Sequence, residues 1–211
     1  MWSSIPEDLI VASASTPGRR RDSAMAEQRP STPLAALKAL ARCLATTVWL
    51  LARHRVHLAR ERLGLRLRFA DGTSARVFRE TVIDCDAPRD PCLLVVEFRL
   101  RAVRGSGHAA FRRESLLNTP LFAGFPGLVS KLWLANDELG RYRGIYEWDG
   151  PQRAEAYARA LWRVLALVSV PGSIHYLVLP GLHRDDLLNR LRVGTRPVHA
   201  AAIDLEARNH G

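Results

Sequence analysis

Lysine is nearly missing from this chain: of 31 basic residues only Lys38 and Lys131 are lysines, the rest being arginine. The arginines run through the whole length and alternate with Asp and Glu on the helical stretches, the mark of a compositional bias and not of a phosphate-binding stripe. The net charge of +10 still implies some general attraction to polyanions. Specific nucleic-acid binding is not expected, because no known motif occurs and no basic run is interleaved with stacking aromatics. Cysteine is scarce as well. Cys43, Cys85 and Cys92 show no C-x-x-C spacing, which argues for a reduced, cytoplasmic setting. Cys85 and Cys92 flank a loop containing Pro and Asp and could approach one another, although two free thiols are the simpler expectation.

Other absences narrow the chemistry. No pair of histidines has the i, i+4 spacing with a carboxylate that a helical metal site requires, and His54 and His57 at i, i+3 suit a basic surface better. There is no glycine-rich phosphate loop, nucleophile elbow or paired-carboxylate signature, and Gly105-Ser106-Gly107 is too short to serve a dinucleotide. No metal is therefore expected. The first residues do not read as a secretory leader, since Glu7 and Asp8 interrupt Ile5 to Ala14 and no basic segment precedes them. Residues 1–33 are rich in Ser, Thr, Pro and Arg and are expected to be disordered, with Met25 as an alternative start.

What the chain does contain falls into three further parts. In residues 34–91 a helix is expected over 34–62, with Leu34, Leu37, Ala41, Leu44, Val48 and Leu51 in heptad-like spacing. Leu40, Trp49 and Leu50 widen its apolar face, and Arg53, His54, Arg55, His57, Arg60 and Arg62 make a basic end. Lys38 and Arg42 interrupt the apolar run, which argues against a membrane span. The pattern fits a helix packed on its own domain or on a dimer mate, with arginines at the C-terminal end of its dipole. It also fits an amphipathic helix lying on anionic lipid, which would make the protein membrane-peripheral. Leu65 to Phe69 and Arg76 to Ile83 then flank Asp71-Gly72, a hairpin turn signal. That hairpin would extend the main sheet or cover part of a pocket.

Residues 92–181 read as strand, helix, strand, hairpin, strand, helix, strand. The first strand is Leu93 to Arg101, and a helix follows Gly105 and Gly107 before the GFPG break at 124–127. Leu128 to Ala135 and Tyr142 to Trp148 are strands joined by a short polar turn. A helix capped by Asp149, with Pro151 in its first turn, carries Ala154, Tyr157, Ala158, Leu161, Leu165 and Val168 as its core stripe. Ser173 to Leu179 is the last strand. This order is the split β-α-β repeat of a ferredoxin-like α+β fold: an antiparallel sheet with both helices on one face and the other face left for a partner. The tail, 182–211, holds a short amphipathic helix in which Leu187, Leu188 and Leu191 would dock.

The run PGLVSKLWLANDELGRYRGIYEWDGPQRAEAYARAL, with Pro126-Gly127, Lys131, Trp133, Gly144, Tyr146 and Ala156-Tyr157, resembles the dimeric α+β barrel superfamily. Its nearest likeness is to the antibiotic-biosynthesis-monooxygenase-like branch. The resemblance covers about 90 of the 211 residues and supports the fold more than any reaction. It implies a homodimer whose sheets pack face to face. It also implies a hydrophobic, aromatic or polyketide-like small molecule held between sheet and helices, and oxidation of such substrates with no cofactor. Other members have no known activity, and the alternative for this chain is a non-catalytic dimeric scaffold. Haem degradation would need an Asn, Trp and His arrangement whose spacing this chain does not match.

Strand parity puts Lys131 and Trp133 on one face of their strand and Gly144, Tyr146 and Trp148 on one face of the next. Gly144 opposite large aromatics would leave space for a ligand or for a dimer mate's side chain. A pocket reading makes Asn118, Lys131, Trp133, Tyr146, Trp148 and Trp162 its lining, with His108 and His175 as the bases of neutral-range pKa. The same aromatics serve equally as sheet and helix core, and the histidines as cap or buried structural groups.

Overall fold

The computed structural model describes residues 5–8, 33–101 and 122–191. The expected helix after Gly107, and with it His108 and Asn118, lies outside the described residues, as does most of the N-terminal segment. The elements are α1 (Pro33–Ala52), β1 (Val56–His57), β2 (Arg66–Arg68), β3 (Ser74–Ile83), β4 (Pro91–Arg99), β5 (Leu128–Leu134), β6 (Arg141–Asp149), α2 (Pro151–Val168), β7 (His175–Pro180) and α3 (Arg184–Leu191).

These strands form an antiparallel sheet in the order β1-β3-β5-β6-β4-β7, with β2 also paired to β3. The stretch β7-β4-β6-β5 is the ferredoxin-like order, its central strand β4 hydrogen-bonded to β6 and β7 on either side. The apolar run Leu93 to Val96 is buried on both faces, as a central strand requires. Asn136 to Gly140 turn the chain from β5 into β6. Asp137 accepts the Leu139 and Arg141 amides at 2.9 and 2.8 Å, and Gly140 takes a positive φ of 72°.

The Asp71-Gly72 hairpin forms between β2 and β3, Gly72 supplying a φ of 81° and Asp71 accepting the Thr73 amide. Its longer arm, β3, extends the sheet by pairing with β5 through a bulge between Val77 and Arg79. The cap of α2 differs from expectation. Gly150 occupies the N-cap, because the Asp149 carboxylate already accepts the Arg89 and Asp90 amides at 2.9 and 3.0 Å.

Helix α1 stops at Ala52, ten residues before the expected end at Arg62. His54 adopts a left-handed φ of 53°, the Arg55 amide bonds back to the Leu50 carbonyl, and Val56 and His57 pair as a strand with Ile83 and Val82. Ladder hydrogen bonds to β3 replace the helical ones, so the basic cluster belongs to a turn and a strand.

The sheet has two buried faces. Under α2 and α1 lie Cys92, Leu94, Val96, Leu128, Tyr146, Trp148, Tyr176 and Val178, packed on Ala154, Tyr157 and Ala158. The opposite face was expected to stand bare for a partner, and it does not. Leu93, Val95, Leu132, Leu134, Ile145, Leu177 and Leu179 are covered by Leu67 and Phe69 of the hairpin region, by Ile5, and by Leu187, Leu188 and Leu191 of α3. The chain folds its own extensions over the surface that a second copy would otherwise bury.

One end of that second face is ionic. Arg143, fully buried, contacts Glu97, Asp137 and Asp71 at 2.8, 2.9 and 3.1 Å, and Arg141 reaches the same three carboxylates. Burial pushes the Asp71 carboxyl up, but its Thr73 hydrogen bonds and the two guanidiniums outweigh that and hold it below the usual range.

Candidate functional site

Antiparallel register brings three strands' worth of side chains together on the helix side of the sheet. Lys131 on β5 lies between Thr81 on β3 and Tyr146 on β6, and Trp133 lies between Arg79 and Gly144. Directly opposed residues share a face, so Arg79, Thr81, Lys131, Trp133 and Tyr146 form one patch. From the segment before β5, Phe122 closes over it.

Lys131 is its centre. Only 3% of the residue is exposed, and its ammonium nitrogen stands 3.1 Å from the Trp133 ring centroid, 4.2 Å from Phe122 and 4.5 Å from Tyr146. The Arg79 guanidinium sits over the same indole at 4.0 Å. Burial, and then the neighbouring Arg79 charge, lower the Lys131 pKa well below the ordinary lysine value. Burial likewise brings Arg79 down to about 10, with Tyr146 opposing the shift. The Tyr157 hydroxyl donates to that of Tyr146 at a long 3.5 Å, and burial raises both phenols above their usual value. Two further polar atoms of the patch, Trp133 Nε1 and Thr81 Oγ1, are buried with no hydrogen-bond partner among the described residues.

The sequence-derived candidates separate here. Lys131, Trp133 and Tyr146 meet in the patch. Trp148 is buried beside it, its ring 5.0 Å from that of Tyr157. Trp162 instead packs edge-to-face on Tyr176 at 6.0 Å, over the β7 side of the sheet. His175 is exposed and opposite Glu97, on the other face from Tyr176 and from the patch. The space expected above Gly144 is filled from the same strand: a Cβ there would come 2.7 Å from Tyr146 Cε2.

Sequence reasoning missed Arg79, Thr81, Phe122 and Tyr157 as members. Tyr157 was legible only as helix core. Arg79 and Thr81 come from a strand outside the recognised repeat, and the bulge at Val77/Arg79 resets the parity that would have aligned them. Among the described residues no group of His, Cys, Asp and Glu could hold a metal ion, and the three cysteines are free thiols. A separate open cleft of about 600 Å³ lies between the C-terminal half of α1, the loop after β3 and the turn before β5. Arg55, Cys85, Asp86, Arg89 and Arg153 are among the residues that line it.

No protein-family model matches the sequence, and no curated protein matches it. Among solved structures, the chain is similar to an uncharacterised ferredoxin-fold protein from Listeria monocytogenes related to antibiotic biosynthesis monooxygenases. That match has 14% identity and a TM-score of 0.37 over 53% of this chain and 66% of that one. An anthrone oxidase-like protein matches at 18% identity and TM-score 0.36, over 53% and 55% of the two chains. A monooxygenase-like protein from Listeria innocua matches at 14% and 0.35, over 53% and 67%. This chain thus spans less than two thirds of the first two. The ferredoxin-like assignment rests on the strand order itself.

Proposed function

We propose that the helix side of the sheet binds a hydrophobic, planar, aromatic or polyketide-like small molecule bearing an acidic hydroxyl or enol, and that Lys131 takes its proton. The observation carrying this is the caged lysine, a buried amine of lowered basicity beside a second cation. In its neutral form the Lys131 amine accepts a proton, becoming an ammonium while the ligand becomes an oxyanion or carbanion. In this reading Arg79, the Trp133 N–H and the Thr81 hydroxyl hold the developing negative charge, and the surrounding rings exclude water. Monooxygenase-like chemistry would follow if molecular oxygen added to the carbon of that anion, the peroxide took back the proton, and the hydroperoxide lost water to leave a carbonyl. Only the deprotonation and the positioning fall to this chain's residues.

A second reading keeps the patch as structural core of a non-catalytic scaffold, and one observation favours it: the Tyr146 ring already fills the room above Gly144. Titration with 2-naphthol separates the two, since naphtholate absorbs to the red of naphthol. Binding with a naphtholate spectrum at pH 7, lost in Lys131→Met and kept in His175→Ala, is the expected result. Failure of the wild-type protein to bind or ionise the probe, with no small molecule released from purified protein in mass spectrometry, would favour the scaffold.

A further inference from the structure

The heptad-spaced stripe of α1 points away from the protein. The helix packs through Cys43, Thr47 and Leu50, which are 2%, 0% and 8% exposed. Gly124 seats it so closely that a Cβ there would strike the Cys43 carbonyl and the Thr47 amide. Leu34, Leu37, Leu44, Val48 and Leu51, by contrast, are 46–64% exposed, and Trp49 beside them is 49% exposed. A large apolar helix face left in water marks an interaction surface.

Charge identifies what covers it. Between residues 33 and 60 there are five basic residues, Lys38, Arg42, Arg53, Arg55 and Arg60, and no acidic one. Lys38, Arg42 and Arg53 are exposed on the flank beside Trp49, and the Arg53 guanidinium lies over the Trp49 ring at 5.5 Å. A second copy of α1 would bring like charges near one another with no carboxylate on either helix to offset them. An anionic surface has the complementary sign. Among the described residues no helix is long and apolar enough to cross a membrane, so the helix would lie in the interface plane. Its leucines would reach the acyl boundary, its basic flank the headgroups, and Trp49 the level between.

We propose that α1 docks the protein in the plane of an anionic lipid bilayer, through the Leu37, Leu44, Val48 and Leu51 face with Lys38, Arg42 and Arg53 as its electrostatic flank. The test is co-sedimentation of the full chain with phosphatidylcholine vesicles, with and without about one third phosphatidylglycerol, at two salt concentrations. Wild-type protein should sediment with the anionic vesicles, less so at high salt and little with the neutral ones. Replacing Lys38, Arg42 and Arg53 by Gln should weaken binding on the order of a hundredfold, about fivefold per charge. Leu44→Glu/Val48→Glu should abolish binding while leaving circular dichroism unchanged, because both side chains already face water. Lipids brominated in the acyl chain should quench the wild type more than Trp49→Phe. Equal binding to neutral vesicles, no binding at all, or full binding by Leu44→Glu/Val48→Glu would overturn the proposal. So would a dimer in light scattering that this double variant converts to monomer, which would assign the face to a second copy.

Discussion

Replacing Lys131 by Met probes the charge state of the caged amine directly. Two effects compete there. Each desolvated cation–π contact favours the ammonium by about 2 kcal/mol, while taking an ammonium out of water costs several kcal/mol. Arg79 over the same indole adds a repulsion on the order of 2 kcal/mol at a moderate effective dielectric. Burial and the Arg79 charge both lower the pKa, and the three rings oppose them. The consequence for stability follows from linkage. Below its folded-state pKa the lysine is protonated in both states and contributes no pH dependence. Between that value and the unfolded value of ~10.4 only the unfolded chain holds the proton, so stability rises with pH, by up to about 1.4 kcal/mol per pH unit. Burial also raises the Cys43 thiol, which acts in the opposite sense at alkaline pH, but this is common to both proteins and cancels in their difference. Urea denaturation of wild type and Lys131→Met at pH 7, 8 and 9 and constant ionic strength measures that difference. The variant should be the more stable at pH 7, by about 1–4 kcal/mol, as is usual when a well-packed apolar group replaces a buried charge. Its advantage should shrink by about 1–3 kcal/mol by pH 9. Parallel pH profiles would refute the reasoning and show that the rings keep the ammonium charged.

Arg143→Met should cost about 3–5 kcal/mol at pH 7, because Glu97, Asp137 and Asp71 would each lose a buried guanidinium partner. Asp71 ionises below its unfolded value, so its contribution is full above that value and is lost as pH falls through the folded one. The gap between wild type and variant in urea should therefore narrow under acid, and a gap that is small at pH 7 would mean the network is solvated. Gly124→Ala should destabilise by about 1–3 kcal/mol by overpacking against the α1 backbone. Hydrogen exchange should show the loss concentrated in residues 33–52, whereas unchanged protection there would mean that α1 is not held by this contact.

How far the sequence reaches can be read element by element. Asp71-Gly72, the 136–140 turn and the spacing of Ala154, Tyr157 and Ala158 are local signals, and each produced the expected hairpin or helix. The ferredoxin-like strand order followed from those, because the kinds of elements and their succession leave few topologies open. Lys131, Trp133 and Tyr146 were legible as a patch because alternation along a strand is a property of the backbone.

Which face of α1 would be buried could not be read in the same way. The heptad stripe and the Cys43-Thr47-Leu50 stripe are both present in the sequence, and the close seat at Gly124 chose the weaker one. The helix end at Ala52 depended on β3 being available to pair with Val56 and His57. Arg79 reached Trp133 only through a pairing between strands about fifty residues apart, with a bulge to set its parity. Local patterns were therefore fixed by amino-acid order alone, whereas the covering of the second sheet face and the cation beside Lys131 needed long-range contacts, whose partners no short window of sequence contains.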